Sequence, residues 1–175
     1  MGLLSRKSQF QKTTLRNYKE ILKVIKKTHA THNPSFEIIP AMYILADLAA
    51  INANKDRVAM SNEFIDVMLE NGYLKQSDLS KFDTRIELYG EVVRGKIEPI
   101  GLWWLGEDSA VALLGGHVLS KVLTVFGDLL IDEAKQNDYL GPMTISDIFS
   151  VMTFAETMIR QIVPAMFDYY KVTFE

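Results

Sequence analysis

Apolar positions recur along this chain at steps of three and four, and no strand signal of matching strength accompanies them. Leu15, Tyr18, Leu22 and Ile25, thickened by Ile21, predict a first helix capped by Thr13 or Thr14 and running to about Ala30. Between Ala41 and Ala53 the one charge is Asp47, so the second helix is expected to be deeply packed. Pro40 would open it and Asn54-Lys55-Asp56 would end it, with Asp47 paired or on the wet edge. A shorter third helix follows Ser61 and stops at Asn71-Gly72, where glycine suits the left-handed C′ position. Ser77 is expected to cap a fourth helix carrying Leu79, Phe82, Ile86, Tyr89 and Val93, with Gly95 at its end. The last starts at Thr144, with Asp147 in a capping-box-like position and an inner stripe from Ile145 through Met166 to Tyr170.

The segment 107–137 gives the longest periodic signal. Its polar residues His117, Lys121, Thr124, Asp128, Asp132 and Lys135 fall on one narrow stripe, so a long helix largely surrounded by protein is predicted there. Lys121 and Asp128 interrupt the apolar run, which is too short for a membrane span. Ala112, Gly116 and Ser120, four apart, form a track of small residues for a close helix crossing. The expected fold is all-α: a single domain over 1–175, a bundle of about six helices around the mostly buried 107–137 helix. Helices two, five and six would form its core, with a basic N-terminal helix (about 13–30) laid across it as a flap.

Composition changes this picture at one end of the chain. The 175 residues carry a net charge of −3. From Met1 to Ser35, however, eight basic residues stand against Glu20 alone, a net of +7, while the remainder is at −10. Such a segment either docks on acidic protein, its own or a partner's, or faces phosphates. With no cysteine, a disulfide framework, cysteine-ligated metal and thiol catalysis are excluded, and a reducing cytoplasm is the expected compartment. The start, MGLLSRKSQFQK, lacks the apolar core of a secretory signal.

Candidate chemistry is sparse. His29 and His32 fall short of the three protein ligands of a catalytic zinc. There is no GxSxG, GxGxxG, GxxxxGK[ST], HExxH or EF-hand loop, and no motif asks for a cofactor. Glu63, Asp66 and Glu70 share a helix face, which resembles one half of the ExxE/ExxD pattern by which all-α nucleotide pyrophosphohydrolases hold magnesium. No second ExxE stands on a neighbouring helix. The 107–137 stripe groups His117, Lys121, Asp128 and Asp132; if it lined a pocket, His117 would be the base and the two aspartates the cation ligands. The adjacent Trp103 and Trp104 are candidate core plugs or interface anchors. By elimination the reading ranked first is a non-enzymatic helical protein–protein interaction or assembly module, acting as a homo-oligomer or with a protein partner. Lys19, Lys23, Lys26, Lys27, Trp103 and Trp104 are its candidate contacts. A nucleic-acid or anionic-membrane-surface binder using the basic segment is the alternative, and a carboxylate/magnesium-dependent hydrolase comes third.

Overall fold

The computed structural model describes residues 7–28, 36–94, 125, 129 and 163–175, and all its regular elements are helical. They are α1 (Gln9–Thr28), α2 (Ile38–Asn52), α3 (Arg57–Glu70), α4 (Leu79–Val93), entered through a 3-10 turn at Gln76–Asp78, and α5 (Val163–Phe174). Of the 107–137 segment, Val125 and Leu129 are described, both helical, and Val125 is buried in the common core. The remainder of that segment, Gly95 and Thr144 lie outside the described residues. Among the described residues no helix is long and apolar enough to cross a membrane.

The hub of the described structure is α2, which packs against α1, α3, α4 and α5. Its sequence, IIPAMYILADLAAIN, is apolar on nearly every side, and Ile38, Met42, Leu45, Ala46 and Ala50 are sealed from solvent. A helix of this kind is stable only when neighbours cover its whole circumference. Pro40 sits in its first turn, where the backbone N–H groups have no intrahelical acceptor and a missing donor costs nothing. Asp47, the helix's one charge, takes a bidentate grip from Arg57, with Nε to Oδ1 and the terminal nitrogen to Oδ2 both at 2.7 Å. That contact favours the charged guanidinium and raises its pKa.

Both ends of the α2–α3 corner are closed by side chains and carbonyls. Asn54 takes a left-handed φ of 52°, while Lys55 N–H reaches back to the Ala50 carbonyl and Asn54 N–H to that of Ile51. Asp56 is the N-cap of α3, its carboxylate accepting from the N–H groups of Val58 and Ala59. The third helix therefore begins well before Ser61, because the residue expected to end α2 instead caps its successor. Gly72 closes α3 at φ 68°, with Tyr73 N–H on the Met68 carbonyl, as its position after Asn71 predicts. Ser77 lies within the 3-10 turn, where its hydroxyl bonds Asp78 rather than capping α4. Phe82 and Tyr89 of the expected α4 stripe are buried, and Phe82 meets Tyr43 and Phe64 in an aromatic cluster joining α2, α3 and α4.

Candidate interaction surface

The first helix starts at Gln9, ahead of the expected Thr13 or Thr14. Ser8 is its cap: Ser8 Oγ accepts from Gln11 N–H while Gln11 Oε1 accepts from Ser8 N–H, each at 3.1 Å. This is a reciprocal capping box of the S-x-x-Q type. The same Ser8 hydroxyl donates to Glu63 of α3. Thr13 and Thr14, freed from capping, are buried inside the helix.

The face that α1 buries is Phe10, Thr13, Thr14, Asn17, Tyr18 and Ile21, at steps of 3, 1, 3, 1 and 3. Half of it is polar, and α5 supplies partners. Thr173 Oγ1 donates to the Tyr169 carbonyl, which leaves Thr13 to donate to Thr173 across 2.8 Å. Tyr170 donates to Thr14 Oγ1 at 3.3 Å, and Phe10 stacks on Phe174. Asn17 Nδ2 reaches the Met166 carbonyl only at 3.5 Å, and its Oδ1 is buried with no partner. Burial pushes the Tyr170 phenol far above its ordinary range, partly offset by Thr14 and Asn17. Tyr18, against Tyr73, is pushed up to about 12 by burial first and by that neighbour second.

Uncharged docking turns the basic residues outward. Lys12, Arg16, Lys19 and Lys23, at steps of 4, 3 and 4, are all exposed on one stripe, and Lys26 and Lys27 continue the same helix. Lys23 pairs with Glu20 of its own helix at 2.6 Å, and the Arg16 guanidinium lies 4.2 Å from the centroid of Tyr169, which is 40% exposed. Lys12, Arg16 and Lys19 make no ion pair with an acid among the described residues. Beside α1, on α3, Asp66 and Glu70 are exposed and also take no part in an ion pair among the described residues, while Glu63 is half-buried under Ser8.

A second polar cluster lies where α2 meets α4. Glu37, at 1% exposure, receives Arg85 Nε on both carboxylate oxygens at 2.9 and 3.0 Å, with Lys81 Nζ at 4.0 Å. Lys81 also caps the Phe36 ring at 4.1 Å. Tyr89 is buried beside them with its hydroxyl unpartnered, and burial, followed by the Glu37 charge, raises its pKa well above the usual phenol range. The cluster clamps α4 to the start of α2, whose dipole favours a carboxylate there. Among the described residues no group of three or more His, Asp and Glu side chains converges on a metal position.

Of the residues singled out from sequence, Lys19 and Lys23 are exposed on α1 and Lys26 and Lys27 belong to its last turns. Trp103, Trp104, His117, Lys121, Asp128, Asp132, His29 and His32 lie outside the described residues. Lys12 and Arg16 extend the basic stripe, which their spacing from Lys19 and Lys23 already indicated. Nothing in the sequence signalled Tyr169 beside Arg16 or the Glu37 clamp, since both are made by residues far apart in the chain. No protein family matches this chain, nor does any curated protein or solved structure.

Proposed function

We propose that this chain is a non-enzymatic helical interaction module that binds acidic protein through the outward face of α1. The observation that carries the reading is the separation of duties on that helix. Its buried face is uncharged, and Lys12, Arg16, Lys19 and Lys23 stand in solvent on one stripe. Cations not needed to hold the helix down are free to meet a partner, and electrostatic complementarity gives association its rate and register. The aromatic component of this face is thin, Tyr169 being the one exposed ring near the stripe among the described residues. That favours a protein partner over single-stranded nucleic acid, where bases stack on successive rings. The reading includes a bundle of about six helices completed by the 107–137 segment, with Trp103 and Trp104 as further contacts. It also places the chain in the reducing cytoplasm that a cysteine-free sequence suits.

Nucleic acid or anionic lipid on the same stripe is the competing reading, because exposed cations on one face are also what phosphates require. The test is binding of the protein and of its Lys19→Gln/Lys23→Gln/Lys26→Gln/Lys27→Gln variant to an acidic protein, to duplex and single-stranded nucleic acid and to anionic vesicles. The expected result is salt-sensitive retention by acidic protein that the variant loses, with negligible retention by the other two in either form. Tight nucleic-acid or vesicle binding by the unmodified protein, lost in the variant and falling by orders of magnitude between roughly 50 and 200 mM salt, would show the competing reading to be correct.

A further inference from the structure

The basic edge of α1 runs beside an exposed apolar stripe of α5. The two helices are antiparallel, since Phe10 stacks on Phe174, Thr13 bonds Thr173, Thr14 bonds Tyr170 and Asn17 reaches Met166. That register sets Lys12 level with Val172, Arg16 with Tyr169 and Lys19 with Ala165, three rungs one helical turn apart. All six residues are exposed, Tyr169 at 40% and Val172 at 68%. They share one face because the middle rung is in contact, the Arg16 guanidinium lying 4.2 Å from the Tyr169 centroid, and because the Thr13–Thr173 bond closes the seam on its inner side. Asp168, the acid nearest the apolar stripe by helical period, lies on the side away from α1, 3.9 Å from Lys171. Past the third rung Glu20 pairs with Lys23, so the seam of cations opposite apolar side chains spans two turns, about 11 Å.

Resting on the protein-binding reading above, we propose that this seam is the docking site for an acidic amphipathic helix of a partner protein. Acids on one edge of that helix meet Lys12, Arg16 and Lys19, while apolar side chains on the adjacent edge cover Tyr169 and Val172. Charge sets the sign of the partner, because the α1 edge offers three cations that make no ion pair among the described residues. The apolar edge selects against a purely charged ligand, since covering Tyr169 and Val172 adds a hydrophobic gain that a phosphate or an acidic tail does not supply. Spacing selects a helix. The rungs recur about every 5.4 Å, the pitch at which a second helix repeats a face, whereas a strand repeats one about every 6.7 Å and is out of step by the third rung. A helix laid along the seam uses its i, i+3, i+4 and i+7 positions, the mode by which amphipathic helices fill grooves. A membrane surface is a poorer match, because interfacial helices present a continuous stripe of Trp, Phe and Leu and this one has a single ring and a single large aliphatic side chain. A footprint of this size makes a weak, reversible complex with a micromolar dissociation constant.

Fluorescence anisotropy of a labelled peptide titrated with the full chain tests this. The peptide has about 18 residues, enough to be helical alone, with glutamates along one edge and leucines along the adjacent one. A permuted peptide of the same composition, its edges broken up, is the control. Two variants of the chain, Lys12→Gln/Lys19→Gln and Tyr169→Ala/Val172→Ala, are first shown to fold by circular dichroism. The patterned peptide should bind the unmodified chain about tenfold or more tighter than the permuted one, and each variant should weaken it by about tenfold or more. Equal binding of the two peptides overturns the proposal, and this arm needs no variant to fold. Full binding by the Tyr169→Ala/Val172→Ala variant overturns it too, as does a chain that dimerises through this face and so excludes the peptide. In each of these cases the broader reading survives if acidic protein is still bound through α1, whereas transfer of that binding to nucleic acid or anionic vesicles removes both.

Discussion

Two helices of this chain meet the same core by opposite means. α2 is apolar nearly all round and is held by being enclosed, its Ile38, Met42 and Ala46 sealed by four neighbouring helices. α1 lies on the outside and docks through a face that is half hydroxyl and amide, fitted to Tyr170 and Thr173 of α5. Burying apolar surface is non-directional, so α2 depends on volume and coverage. Buried hydroxyls gain little net energy but are costly when unmatched, so α1 depends on register. A helix placed by register keeps its cations in a fixed arrangement on the far side, which is the property a binding ridge needs.

The sharpest way to break the comparison is to truncate the enclosed helix. Leu45→Ala, at 1% exposure in the middle of α2, should destabilise the protein by about 2–5 kcal/mol in chemical denaturation. A loss under about 1 kcal/mol would mean that α2 is not enclosed as described. Arg85→Met should follow, at about 3 kcal/mol, because it removes the contact that Arg85 makes with both oxygens of the buried Glu37 carboxylate; the nearby Lys81 keeps the loss at the low end for a broken buried pair.

On the α1 side the effects should be smaller and depend on pH. Tyr170→Phe removes the hydrogen bond to Thr14 and should cost about 1 kcal/mol near neutrality. The phenols of Tyr18, Tyr89 and Tyr170 all titrate higher in the folded protein than their ordinary value of 10.0. Their contribution is fully present below that value and is lost as pH rises, since the unfolded chain releases its protons first. For Tyr18 the loss falls between 10.0 and about 12. Tyrosinate absorbance should therefore lag in the native state and rise with unfolding in that window. The Tyr170→Phe variant has no phenol proton to release at that position, so the stability gap between it and the unmodified protein should narrow above pH 10.0. A gap constant across the alkaline range would argue that Tyr170 is not buried as described.

How much of this was legible in the sequence follows the same division. The all-helical character, the deep packing of α2, the α4 stripe and the left-handed Gly72 can be read because each rests on local period or turn chemistry. The orientation of α1 is legible only in part. Tyr18 and Ile21 of the expected stripe are buried, but Leu15 and Leu22 are only half-buried, and Thr13, Thr14 and Asn17, which periodicity counts as polar, are buried instead. What widens the buried face toward them is the presence of Tyr170 and Thr173, more than 150 residues away in the chain, to satisfy those hydroxyls. Two of the helix starts that differ from expectation do so for a more local reason. Ser8-x-x-Gln11 is a capping box readable from sequence, and Asp56 is a good cap that its place just after Asn54 disguises as a terminator. The basic stripe itself is visible from its spacing, but whether it faces inward or outward depends on what the opposite face of α1 can bond.

The central claim is that the α1 cations do not hold the fold and are presented outward. It is tested most directly by thermal unfolding of a Lys12→Gln/Lys19→Gln/Lys23→Gln variant at low protein concentration, where association does not contribute, in low and high salt. These side chains are exposed, and of the three only Lys23 takes part in an ion pair among the described residues, with Glu20 of its own helix. The account predicts a stability change within about 0.5 kcal/mol, a midpoint shift of no more than roughly 3 °C, at both salt concentrations. A midpoint lowered by about 10 °C or more at low salt, with the difference vanishing at high salt, would contradict it by showing that the stripe is bound to acidic groups of its own chain.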